Sequence, residues 1–138
     1  LVGVDSLSPH DRIVLETAKH IREDFLHQSA FDPDDAYTRL GKQFRMLQVI
    51  IELHRACERA LGARAPLRKL LELPVRGEVA RMRHFPEDDA GVFDELLRRI
   101  EEETAAGATE NRHGEGRTGP DAPGQDTRSQ EAPRRHKE

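Results

Sequence analysis

Tryptophan is missing from this chain of 138 residues, tyrosine occurs once and phenylalanine five times. With so few aromatics, burial leaves a small surplus over chain entropy, and the bare domain is expected to be marginally stable. Cysteine is almost absent as well. Cys57 stands alone, which excludes an internal disulfide framework and fits a reducing compartment. No apolar run approaches the ~20 residues that span a bilayer, so direct membrane insertion is not expected. No charged-then-apolar leader is present, and nothing points to export. An excess of positive charge is lacking too: the net charge is −4, with basic side chains interleaved among Asp and Glu. Phosphate neutralisation needs a basic face, so nucleic acid is not an expected partner. Finally, no segment matches GxxxxGK(S/T), whose backbone amides would cradle phosphates, and this chain alone is not expected to hydrolyse ATP.

What is present divides unevenly. Nearly all large apolar residues precede Ile100, and none follows Ala105. A helical domain over 1–104 and a polar, disordered tail over 105–138 are therefore expected. The first helix is announced by Ser8 as N-cap, Pro9 at the first helical position and Asp11 reaching back as in a capping box. Val14, Ala18, Ile21 and Phe25 recur at helical spacing and predict its core face, fading near Gln28. A second start signal is Asp32-Pro33-Asp34-Asp35. The helix behind it carries two adjacent stripes: Leu40, Phe44, Leu47 and Ile51, then Met46, Ile50, Leu53, Cys57 and Leu61. Together they predict a wide apolar face at the centre of the core, ended by Gly62. Pro66 opens a short helix with Leu67, Leu70 and Leu71, stopped by Pro74. Val75, Val79 and Met82 suggest another, broken at Phe85-Pro86. Phe93, Leu96, Leu97 and Ile100 mark the last, where Glu101-Glu102-Glu103 sets negative charge against the helix dipole and predicts fraying. The fold class is all-α, a small helical bundle with a disordered C-terminal tail.

Several blocks then carry a family resemblance. They are Leu1–Arg12 (LVGVDSLSPHDR), Ile21–Phe31 (IREDFLHQSAF), Asp35–Leu47 (DAYTRLGKQFRML) and Leu73–Met82 (LPVRGEVARM). In this order they resemble the C-terminal domain of catalytic A subunits (alpha chains) of V/A-type rotary ATPases. The likeness covers residues 1–103. It departs from the family at His27-Gln28-Ser29-Ala30-Phe31, where Gln-Gln-Asn-Ala-Phe is usual, and at Thr38 and Gly41, near which Cys and Glu are usual. An opening at Leu1 instead of methionine agrees with a piece of a longer chain.

The resemblance implies that an upstream α/β domain holds the P-loop, the catalytic glutamate and Mg-ATP, and that this helical piece pushes on the central rotor. The implied partners are non-catalytic B subunits and central-stalk rotor subunits. The implied location is cytoplasmic, peripheral to the membrane, in a proton- or sodium-translocating complex. The rotor contact aligns with Asp5-Ser6-Leu7-Ser8-Pro9-His10-Asp11, where two of seven positions are acidic. Packing is then expected to matter more than charge. The resemblance also puts Phe25, Gln28, Ala30 and Phe31 beside the adenine ring, since an aromatic face can stack on a purine. Phe25 is in register with the apolar stripe and reads as core before pocket. Phe31 follows the helix and is the better pocket candidate.

Other constellations have plainer readings. His20, Asp24 and His27 share spacing suited to a metal, against a solvated helix face opposite Ile21 and Phe25. His54 reads as a core histidine with a satisfied partner, and Cys57 as a small buried hydrophobe. Arg98-Arg99 with Glu101 to Glu103 reads as solvated surface, and Arg134-Arg135-His136-Lys137 as an incidental charge run. Against the ATPase piece stand two alternatives. One is a stand-alone helical interaction module that binds through an exposed stripe. The other is a metal-dependent enzyme built on His20, Asp24 and His27.

Overall fold

The computed structural model describes residues 3–27, 39–87 and 89–114, the side chains of 110–114 excepted, and these residues are helical with no strand among them. A 3₁₀ turn, Val4–Ser6, leads into α1, Pro9–His20. Ser8 caps α1 as its sequence predicts: its Oγ accepts from the Asp11 amide at 3.1 Å and donates to Asp11 Oδ2 at 2.6 Å. The carboxylate thus takes the cap hydroxyl where a full capping box would take the cap amide. At Ile21–Phe25 the helix widens into a π turn, closed by the Leu26 amide on Ile21 O at 2.8 Å. The second start signal, Asp32 to Asp35, lies outside the described residues. Then follow α2 (Leu40–Gly62), α3 (Leu67–Leu71), α4 (Val75–Val79), a 3₁₀ turn (Met82–His84) and α5 (Ala90–Gly114).

Gly62 is the last helical residue of α2, but the reversal is made two residues later. Arg64 adopts φ 65°, the Ala65 amide reaches Ala60 O at 2.9 Å, and the Arg64 amide reaches Leu61 O at 2.9 Å. That pair of bonds is a Schellman closure with an arginine where glycine is usual. Pairing across the bundle sets directions. His10 lies beside Glu58 and Thr17 beside His54, so α1 and α2 are antiparallel. Arg45 meets Asp94 and Arg59 meets Glu101, so α2 and α5 run in the same sense, with α3 and α4 carrying the chain back between them.

One core joins Ile13 with Met46, Val49, Ile50, Leu53, Ala56, Cys57 and Ala60 from α2, Leu70, Val75, Val79 and Met82 from the short elements, and Phe93, Leu96 and Ile100 from α5. Burying an aliphatic side chain of this kind is worth roughly 1.5–3 kcal/mol. The only ring pair among the described residues, Phe85 and Phe93, meets edge to face with centroids 5.6 Å apart.

Three expectations need correction. Val14 is 44% exposed and Ala18 is also exposed, while Ile13 is fully buried. The inner face of α1 is Ile13, Thr17, His20 and Asp24, because hydrogen bonds within the fold satisfy its polar members. Next, the stripe Leu40, Phe44 and Leu47 is exposed at 81%, 67% and 36%. Only the second stripe of α2 supplies buried core residues, while Ile51 of the first is half-buried. Lastly, α5 does not fray after Ile100 but continues to Gly114. Glu101 to Glu103 are therefore mid-helix and meet no helix-end dipole. Arginines neutralise them: Glu101 pairs with Arg59, Glu102 with Arg98, and Glu103 with Arg99 at 2.7 Å. Glu103 also accepts the Val75 amide at 2.8 Å, satisfying an orphan donor at the start of α4.

Candidate functional site

The segment Asp5 to Asp11 is presented outward. Asp5, Ser6, Ser8, Pro9, His10 and Asp11 are exposed, and Leu7 is half-buried. The 3₁₀ turn and the Ser8 cap fix its backbone, so the segment forms a stiff entrance to α1. Beside it opens a cleft of about 670 Å³, lined by Ser8, Pro9, His10, Glu58, Leu61, Gly62, Ala65 and Leu67. The floor is apolar and comes from the end of α2 and the start of α3. The polar rim comes from His10 and Glu58, whose Nδ1 and Oε1 are 2.7 Å apart.

Of the four adenine-pocket candidates, Gln28, Ala30 and Phe31 lie outside the described residues. Phe25 sits in the π turn, half-buried against the core. Part of its ring surface is therefore taken by packing, and the rest faces outward.

His20 and Asp24 do meet, with Nδ1 and Oδ2 2.6 Å apart, but not on a solvated face: their side chains are 12% and 18% exposed. The other imidazole nitrogen lies 3.3 Å from Arg76 Nη1. A guanidinium can only donate, so Nε2 is the acceptor and Nδ1 carries the proton given to Asp24. Arg76 Nε also donates to Leu70 O at 2.7 Å and its Nη2 to Cys57 Sγ at 3.5 Å. A cation thus fills the position a metal would need. His27, the third proposed ligand, is exposed past the end of the π turn. Among the described residues no group of three His, Cys, Asp or Glu side chains is arranged to hold a metal ion. Burial pushes the Cys57 thiol up, opposed by the charge of and hydrogen bond from Arg76, which suits a packed side chain and not a nucleophile.

His54 is half-buried and meets Thr17, with Nδ1 3.0 Å from Oγ1. Arg76 and Glu58, the polar residues that organise these sites, were not singled out in the sequence. The available signals were an arginine between Val75 and Val79, and a glutamate one turn after His54. Arg98-Arg99 is more than solvated surface: Arg99, 27% exposed, bridges Glu78 of α4 and Glu103 of α5. Hydrogen bonds that Arg98 donates to Glu95 and Glu102 hold its guanidinium above the ordinary arginine range.

The described residues thus form an all-α bundle with an exposed, capped entrance segment. The family model for the C-terminal domain of V and A type ATP synthase matches residues 1–70, about half of the chain. The chain belongs to this family. It is similar to the V-type ATP synthase alpha chain of Acetivibrio thermocellus, 47% identical over 107 residues, covering 77% of this chain and 18% of that protein. The alpha chain of Clostridium perfringens is 45% identical over 103 residues, 75% of this chain and 17% of the relative. That of Thermoanaerobacter pseudethanolicus is 44% identical over 100 residues, 72% and 17%. The chain spans less than a fifth of the length of these curated relatives. No helix among the described residues is long and apolar enough to cross a membrane.

Proposed function

We propose that this chain is the rotor-facing C-terminal domain of the catalytic A (alpha) subunit of a V/A-type ion-translocating ATP synthase or ATPase. The observation that carries the reading is identity of 41–47% to V-type ATP synthase alpha chains across about three quarters of the chain. In this role the domain performs no bond chemistry. Mg-ATP is held by the upstream part of the parent subunit, and this chain adds a wall of the adenine pocket through Phe25, Gln28, Ala30 and Phe31. Its own task is mechanical. The segment Asp5 to Asp11 bears on the central stalk, and the close-packed core behind it passes the load on, since packed interiors have low compressibility. Flanking partners are the B subunits, and the location is the cytoplasmic head, peripheral to the membrane.

With two acidic positions in the contact segment, shape carries the contact more than charge. Neutralising both, Asp5→Asn with Asp11→Asn, in a full-length alpha chain tests this. The Ser8 cap survives because its oxygen still accepts the amide of residue 11. Ion transport per ATP hydrolysed is expected to stay close to that of the parent; loss of coupling with hydrolysis retained would show that charge carries the contact.

A second reading, a helical interaction module detached from any ATPase, is favoured by the exposed row Leu40, Phe44 and Leu47. Contiguous exposed apolar surface marks contact sites. A coding frame that continues upstream into GxxxxGK(S/T) separates the two.

A further inference from the structure

The cleft beside the entrance to α1 contains a carboxylate whose hydrogen bonding the chain itself leaves incomplete. Glu58 Oε1 is buried, and among the described residues it is the one buried side-chain nitrogen or oxygen without a hydrogen-bond partner. The Glu58 side chain as a whole is 35% exposed, so the covered oxygen Oε1 alone is the orphan, and a covered orphan calls for an explanation. Two imidazoles approach it. Neither satisfies it. His54 Nε2 stands 3.6 Å from Glu58 Oε1, beyond hydrogen-bond distance. His10 Nδ1 is close at 2.7 Å, yet it is not aligned to donate, and its side chain is 65% exposed. Nearby arginines are engaged elsewhere: Arg12 with Glu16, Arg55 with Glu52, and Arg59 with Glu52 and Glu101.

We propose that this cleft receives an arginine side chain from a partner protein, its guanidinium on Glu58 and its aliphatic stem along Pro9, Leu61, Ala65 and Leu67. The charge at the rim and the apolar floor below it match the two parts of that side chain. A planar fork of donors is also what a carboxylate accepts best. His10 is the gate. Its exposed ring swings off Oε1 as the guanidinium arrives, at little cost because no aligned bond is broken. The identity of the partner as a subunit of the rotary complex rests on the rotor-facing reading of Asp5 to Asp11, which forms one lip of the cleft. The chemistry of the cleft does not depend on it.

The test titrates the 138-residue chain with 1-butylguanidinium and follows amide and imidazole resonances by NMR. Saturable shifts are expected at His10, Leu61 and Leu67, with 1-butanol binding more weakly because it lacks the charge. Glu58→Gln, which keeps the shape, is expected to weaken butylguanidinium by about tenfold, the scale of one charge-assisted hydrogen bond. Equal binding of butanol and butylguanidinium to the parent chain, a comparison that needs no variant, would overturn the proposal. So would unchanged affinity in the Gln variant, or shifts absent from the cleft. Failure of the rotor-facing reading would leave this titration as it is, so the two can fail separately.

Discussion

Arg64 and Arg76 illustrate how much of this domain is decided by single polar residues. Arg64 closes α2 from the left-handed region at φ 65°, where a side chain with a Cβ is strained by roughly 1–2 kcal/mol. Arg64→Gly is therefore expected to stabilise the chain by about 0.5–1 kcal/mol, part of the relief being lost to the greater freedom of glycine when unfolded. Urea denaturation checks this; a lower midpoint would mean that contacts of the arginine side chain outweigh the strain. The sequence pointed to Gly62 as the stop, and composition could not reveal that the turn falls two residues later, because arginine carries no turn signal. Arg76 was invisible for a related reason. Its three hydrogen bonds, to Leu70 O, His20 and Cys57, link residues far apart in the chain. The Ser8 cap, by contrast, was legible because cap, proline and acid lie within four positions of one another.

Among the elements, periodicity identified helices well and their orientation poorly. All five helices that the structure describes correspond to segments read from apolar spacing. Yet α1 and α2 each bury a face different from, or narrower than, the one predicted. In α1 the mixed face Ile13, Thr17, His20 and Asp24 displaced Val14 and Ala18, because internal hydrogen bonds can make a polar stripe the inner one. In α2 two apolar stripes were present, and only tertiary packing could choose between them. The length of α5 was missed because residues after Ala105 bear no large apolar groups. Alanine is the strongest helix former, and it occupies 105, 106 and 108. Gly107 sits inside that run, buried, and a Cβ there would lie 3.9 Å from Leu70 Cδ2, an ordinary contact. Gly107→Ala is accordingly expected to stabilise the domain by about 1 kcal/mol. No change in thermal midpoint would mean that the helix effectively ends before this residue in solution.

At the scale of the whole molecule, the described residues form one core and leave uncovered the entrance segment Asp5 to Asp11 with its cleft, and the outer row of α2. Exposed apolar surface of this kind fits a contact with another chain, and the curated relatives are more than four times as long as this one. Family membership was legible through block resemblance alone; no spacing or charge argument leads from a helical bundle to a rotary machine. The adenine-pocket residues were named by the same resemblance, and three of the four lie beyond the described residues, so their role stays within the proposal. The central claim is that Asp5 to Asp11 couples hydrolysis to rotation. It is tested most directly by replacing Asp5-Ser6-Leu7 with three glycines in a full-length alpha chain, leaving the Ser8 cap intact, and measuring ions transported per ATP hydrolysed. The account predicts retained hydrolysis with a severalfold fall in transport; an unchanged ratio would contradict it.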